Sequence, residues 1–171
     1  MIPRGKKVFH IVLYEPEIPA NTGNISRLSV AVGATLHLVG RLGFSLDDKY
    51  LKRAGLDYWP EVRLERHDTL AEYEATQDAA RLFCFSSHAT RSYTQERFRP
   101  GDAFLFGCES RGLPLEVIER HAERALRIPM MNAKVRCLNL SSAVAVVVYE
   151  ALRQVGALEG ELDARKEAGI R

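Results

Sequence analysis

Residues 8-VFHIVLY-14 are apolar and β-branched with little interruption, which marks a buried strand. The two prolines of 15-EPEIPA-20 force a loop, and Asn21 is placed to cap the helix that follows. Ile25, Leu28, Ser29 and Val32 recur at helical spacing, and Gly33 stops that helix. The pattern predicts a second strand at 35-TLHLVG-40. It also predicts a helix at 47-DDKYLKRAG-55, acidic at its start and basic near its end. Thr69 and Glu72 form a capping box ahead of a helix over 70–76. Strands are expected at 81-RLFCFS-86, 103-AFLFG-107 and 125-ALRIP-129, with a polar loop over 87–101. Pro114 suits the first turn of a helix running to His121. The stretch 140-LSSAVAVVVYEALRQVG-156 is rich in valine, but its length of about four turns and its terminal glycine make it a helix. Strands alternating with helices predict an α/β domain with a mostly parallel sheet covered on both faces. The expected organisation is one domain over 1–156 and a polar tail over 157–171.

Composition adds limits. A chain of 171 residues that is 46% hydrophobic and 27% charged suits one globular domain. The longest apolar run, 143-AVAVVVY-149, cannot span a bilayer, so no membrane association and a cytoplasmic location are expected. Cys84, Cys108 and Cys137 are scattered, which indicates neither a disulfide framework nor a zinc site. The net charge of +2 neither demands nor excludes a nucleic-acid partner. Local basic clusters occur at Arg4, Lys6 and Lys7, at Lys49, Lys52 and Arg53, and at Arg91, Arg97 and Arg99. Each has also the composition of ordinary solvated surface.

Ligands of open α/β sheets bind beyond the carboxyl ends of the strands. Three loops there are rich in polar residues, the first two also bearing glycine: 15-EPEIPANTGNISR-27, 107-GCESRGLP-114 and 129-PMMNAKVRCLNLSS-142. Each alone reads as a connection; together, on neighbouring strands, they would make a pocket. Familiar chemistries are missing. Leu113 and Pro114 stand where a phosphate-binding loop needs lysine and a hydroxyl, and neither GxGxxG nor GxSxG follows a strand. The histidines at 10, 37, 67, 88 and 121 are isolated, without ligand spacing, so no metal is expected. His10 reads as a core or edge residue and Cys84 as core packing. What remains is Asn21, Asn24, Arg27, Glu109, Ser110, Arg111, Arg136, Asn139, Ser141 and Ser142. That set can bind and position but holds no obvious nucleophile, which suits group transfer from a reactive cosubstrate.

Residues 21-NTGNISR-27, 105-LFGCESRGLP-114, and 128-IPM-130 with 136-RCLNLSSAVAVVVYEALRQ-154 resemble the three ordered motifs of the SPOUT, or trefoil-knotted, methyltransferases. Within that superfamily, 11-IVLYEPEIPANTGNISRL-28 and 52-KRAGLDYW-59 are most similar to the branch that methylates the ribose 2′-hydroxyl of the tRNA wobble nucleotide, a cytidine or uridine derivative at position 34. The resemblance covers residues 8 to 156. It implies a C-terminal deep trefoil knot, S-adenosylmethionine as cosubstrate, tRNA as partner and a homodimer with RNA bound across both subunits.

By the same resemblance, Phe85, Gly107, Ile128, Cys137, Leu138 and Asn139 border the cosubstrate. Gly107 allows close backbone approach to it, Glu109 holds the loop or the substrate side, and Gly112 and Pro114 fix the next turn. Arg27, with Asn21 and Glu109, forms the catalytic set. Arg27, Asn24, Arg111, Arg136, Ser141 and Tyr149 contact substrate. The family motif has its arginine assist deprotonation of the 2′-hydroxyl. A guanidinium titrates above about 12, however, so binding the phosphate and stabilising the developing oxyanion suit it better. Asn139 and Ser141 either cap the last helix or touch substrate. Tyr149 reads from its helix as dimer or core packing. Cys108 departs from an expected proline and Cys137 from a small hydroxyl residue. The apolar face of Val144, Val147, Val148 and Ala151 demands burial, within the sheet or partly against a second subunit. Alternatives are methylation of another tRNA or rRNA ribose and a knotted RNA-binding module without catalysis.

Overall fold

The computed structural model describes residues 9–46, 59–76 and 81–158. The expected helix over 47–55, the clusters at 4–7 and 49–53 and most of the 157–171 tail lie outside them.

Seven strands form one sheet: β1 (His10–Tyr14), β2 (Thr35–Val39), β3 (Leu64–His67), β4 (Leu82–Phe85), β5 (Arg91–Ser92), β6 (Ala103–Phe106) and β7 (Ala125–Arg127). Their order is β3-β2-β1-β6-β4-β7-β5, and every pairing is parallel. Helices α1 (Pro19–Val32), α2 (Leu70–Thr76), α3 (Leu115–Arg120) and α4 (Leu140–Gln154) complete the framework. The expected parallel α/β sheet is therefore present.

Period-two alternation sorts the strand residues onto two faces. Ile11, Leu13, Leu36, Leu38, Phe104 and Phe106 join Val144, Val147, Val148 and Ala151 of α4, with Ile25 of α1, in one core. Val12, Val39, Cys84 and Leu105 meet Leu70 and Tyr73 of α2 and Val117 and Ile118 of α3 in the other. The four expected apolar positions of α4 are completely buried within this chain. Tyr149 is 47% exposed, so it is not core, and Val146 one turn earlier is exposed beside it.

Three local expectations change. Helix α1 begins at Pro19, with Ile18 as its uncapped N-cap residue, so Asn21 lies inside the first turn and does not cap it. Proline at the first helical position starts the helix two residues early. Strand β3 escapes the hydrophobic pattern because LERH is a short edge strand carrying charge. The polar 87–101 loop contains β5 and a 3₁₀ turn over Tyr93–Gln95. Elsewhere the local chemistry matches expectation. Thr69 Oγ1 accepts from the Glu72 N–H at 3.1 Å, although the Glu72 carboxylate reaches back to the Asp68 N–H at 2.7 Å. Gly33 closes α1 in the left-handed region at φ 70°. Asn139 caps α4 by accepting from the Ser141 N–H.

A parallel sheet places all strand carboxyl ends on one edge. The chain progresses from β1 outwards to β2 and β3, whereas β6, β4 and β7 lie on the other side of β1. The switch point thus falls between β1 and β6.

Candidate functional site

The loop 15–18 leaving β1 and the loop 107–114 leaving β6 grip each other by reciprocal carboxylates. Glu109 accepts from the Glu17 N–H at 2.7 Å, the Ile18 N–H at 3.2 Å and Asn21 Nδ2 at 2.9 Å. In return Glu17 accepts from the Ser110 N–H at 2.8 Å and its hydroxyl at 2.7 Å. These hydrogen bonds hold the Glu17 carboxyl below its usual range, the Ser110 hydroxyl contributing most. Because Ile18 and Glu17 lead into α1, Glu109 supplies the anionic cap that α1 lacks in its own sequence. Its acceptor positions are engaged by three donors, which makes Glu109 a positioning residue.

The third loop joins through Asn21. Asn21 Oδ1 accepts from Asn139 Nδ2 at 3.0 Å, while Asn139 Oδ1 accepts from the Ser141 N–H at 2.9 Å and hydroxyl at 2.7 Å. A continuous chain Glu109–Asn21–Asn139–Ser141 therefore ties the loops after β1, β6 and β7. Asn21 is 5% exposed and saturated at both ends of its amide.

Glycine is required at 107 by the loop's own backbone. A Cβ there would lie 2.1 Å from the carbonyl carbon of Gly112 and 2.2 Å from the nitrogen of Leu113. The loop folds back on itself, pinned by the Gly112 N–H to the Cys108 carbonyl at 2.9 Å. Gly112 turns at φ 73°, and Pro114 stands at the N-cap position of α3 without a side-chain cap.

Beneath this lattice lies a cleft of about 520 Å³, in the usual range for small-molecule sites. Phe85, Phe106, Ile128, Leu138 and Leu140 give it apolar walls, and Phe85 stacks on Phe106 at 4.9 Å between ring centres. All six residues expected at the cosubstrate line it: Phe85, Gly107, Ile128, Cys137, Leu138 and Asn139. Asn21, Glu109, Arg111 and Arg136 line it too, the two arginines exposed. Asn24, Arg27, Ser141 and Tyr149 lie outside its lining, with Asn24 and Arg27 exposed one turn apart on α1. Ser86, Ser87, His88 and Met130 complete one wall, and sequence reasoning missed them. The position of 86–88 immediately after β4 was the available signal.

Cys84 is sealed in the sheet, where burial pushes its thiol up to about 12, and Cys108 is also buried. Cys137 is exposed at the cleft. The histidines at 10, 37 and 67, isolated in sequence, stand side by side on β1, β2 and β3. His10 Nδ1 lies 2.9 Å from His37 Nε2, and His37 Nδ1 lies 3.1 Å from His67 Nε2. The expectation of isolation fails because parallel pairing joins residues about thirty apart.

The chain is thus a parallel α/β protein with a loop-built cleft at the carboxyl ends of β4, β6 and β7, where open sheets of this class take small ligands. The chain belongs to the SpoU rRNA methylase family, whose pattern matches residues 8–149. The tRNA (cytidine(34)-2′-O)-methyltransferase of Acidovorax sp. (strain JS42) is 51% identical over 151 residues, covering 86% of this chain and 92% of that protein. The Escherichia coli (strain K12) enzyme of the same name is 45% identical over 150 residues, covering 87% and 95%. A solved structure concerning the 2-OH methylation of C/U34 on tRNA superposes with a TM-score of 0.83 at 50% identity, covering 87% of this chain and 97% of that one. An AdoMet-bound rRNA methyltransferase from Sinorhizobium meliloti gives 0.75 at 25% identity, covering 88% and 57%.

Proposed function

We propose that this protein transfers a methyl group from S-adenosylmethionine to the ribose 2′-hydroxyl of tRNA nucleotide 34, a cytidine or uridine derivative. The observation that carries the reading is the Glu109–Asn21–Asn139 lattice, which fixes three loops around one cleft at the strand ends. The cleft fits the cosubstrate: its apolar walls suit a flat purine, and the polar rim of Ser86, Ser87 and Arg136 suits the amino-acid end. Relatives sharing 45–51% identity over most of the chain bear the name of this activity.

In this reading Phe85, Gly107, Ile128, Cys137, Leu138 and Asn139 contact the cosubstrate, whose sulfonium supplies the electrophilic methyl. Glu109 and Asn21 hold the surrounding loops in register. Arg27 binds the target phosphate and stabilises charge developing on the 2′-oxygen, while Asn24, Arg111, Arg136, Ser141 and Tyr149 engage the RNA. No residue of the set needs to act as a nucleophile, because positioning two reactants supplies a large part of such catalysis. The active form is a homodimer with RNA across both subunits, formed in part by the exposed Val146 and Tyr149 of α4. The same reading carries a trefoil knot in the C-terminal part, one methyltransferase domain over 1–156 and a cytoplasmic site of action.

Transfer of labelled methyl from S-adenosylmethionine to tRNA, followed by mapping of the modified nucleotide, tests the proposal. Label on the ribose of nucleotide 34 is expected. Label on another ribose moves the substrate and keeps the mechanism; absence of label on both tRNA and rRNA refutes the enzyme.

A further inference from the structure

Four polar side chains project from one face of the β1–β2–β3 edge, away from the methyltransferase cleft. His37 lies opposite Glu65 in the strand register, and His67 stands two residues further along β3, so all three share a face. Tyr73 of α2 covers them, its ring 4.9 Å from that of His37 and 5.2 Å from that of His67. His37 and His67 are buried, at 0% and 6% exposure.

His37 Nδ1 lies 3.1 Å from His67 Nε2 and 3.6 Å from Glu65 Oε2. The three ligand atoms all fall within 4.8 Å of one another. A tetrahedral zinc site with bonds of about 2.0–2.1 Å has ligand–ligand edges of roughly 3.3–3.4 Å, and the two measured edges bracket that length. A cation placed between the three would use every lone pair. His10 completes the arrangement from the other side. With His37 Nε2–H donating to His10 Nδ1 at 2.9 Å, the Nδ1 lone pair of His37 is left pointing at the point of convergence.

A second observation is independent of these distances. The Tyr73 hydroxyl is completely buried and has no hydrogen-bond partner among the described residues. Its ring packs edge-on against both imidazoles, at interplanar angles of 63° to His37 and 76° to His67. An unpaired buried hydroxyl is costly, and a water bound to an ion would satisfy it. Glu65, with 42% of its side chain exposed on the edge strand, gives an entry path.

We propose that His37, Glu65 and His67 form a binding site for a divalent transition-metal cation of the zinc class, with His10 orienting His37 and an open fourth position beside Tyr73. The ion staples edge strand β3 to β2 and takes no part in methyl transfer.

The test uses the full chain carrying Cys137→Ser, which removes the exposed thiol as a competing ligand. Zinc chloride is titrated by calorimetry and thermal unfolding after chelator treatment. One ion per chain is expected, with Tm raised by roughly 5 °C or more at a hundredfold excess over Kd. Glu65→Gln, a same-shape change on the half-exposed strand edge, is expected to weaken binding by about tenfold or more, and His67→Asn to abolish it. Glu65→Gln carries the test alone where His67→Asn fails to fold. No binding by the Cys137→Ser protein, or an unchanged Kd in Glu65→Gln, overturns the site.

Discussion

Replacing Glu109 with glutamine separates a positioning role from proton transfer. The carboxylate accepts from the backbone N–H groups of Glu17 and Ile18 and from Asn21 Nδ2, at 2.7, 3.2 and 2.9 Å. Glutamine keeps one carbonyl oxygen and turns an amide group toward the remaining donors, so at least one N–H loses its acceptor. An orphaned donor costs about 1–3 kcal/mol, and loss of the anion at the α1 N-terminus adds about 0.3–1 kcal/mol. Partial exposure of Glu109 favours the lower end, and about 2 kcal/mol is a fair centre. That corresponds to roughly a 30-fold effect on an equilibrium constant. Thermal unfolding should show Tm lower by about 4–8 °C. Calorimetry should show S-adenosylmethionine bound roughly tenfold or more weakly, because the loop that borders it has lost its clamp. A general base would behave differently: Glu109→Gln would leave Tm and cosubstrate affinity intact and remove about 10²–10⁴ in turnover. That pattern, or a variant indistinguishable from the parent in both Tm and Kd, refutes the reasoning.

The partner carboxylate predicts a pH dependence. Glu17 has its folded-state pKa lowered, so its contribution is present above the unfolded value and is lost as pH falls through the folded value. The Tm gap between the parent and Ser110→Ala should be open at pH 6 and close as pH drops toward 3; a constant gap contradicts the clamp. Thiol titration of native protein at pH 8 should show one fast cysteine per chain, Cys137, slowed by S-adenosylmethionine; Cys84 and Cys108 should react only on unfolding. Gly107→Ala forces a Cβ into the Gly112–Leu113 backbone and should cost on the order of 3 kcal/mol with loss of cosubstrate binding, and normal binding by this variant overturns the loop geometry. Arg27→Ala should lower turnover on tRNA by about 10²–10³ with cosubstrate Kd unchanged; full activity removes Arg27 from the site.

Much of the framework was legible because burial writes itself into period. The strands at β1, β2, β4 and β6 are apolar runs, since both faces of a parallel sheet are covered. The cleft was legible as three polar loops at strand ends, and their convergence followed from strand order. The backbone clash that demands glycine at 107 was not, because it is with residues 112 and 113 of the same loop, a contact made only once the turn closes. Asn21 was misread for a related reason. Its residue type suits a cap, but Pro19 starts the helix earlier and frees the Asn21 amide for Glu109 and Asn139. The histidine row was invisible since 10, 37 and 67 share no spacing, and only the registers His37↔Val12 and Val39↔His67 align them.

The geometry also explains why a site of this kind can do without a reactive side chain. Glu109 binds the N-terminus of α1, and the same helix carries Asn24 and Arg27 on its exposed side. Asn21 ties that helix turn to Asn139, which caps α4. The loop bordering the small-molecule cleft and the two helices flanking it are therefore one hydrogen-bonded body. A shift of the 107–112 loop cannot occur without straining the start of α1, because the Glu17 and Glu109 carboxylates are each held by the opposite loop. Two reactants held by a single rigid body keep their relative position without further cost at the moment of reaction, and that preorganisation substitutes for covalent participation by the protein.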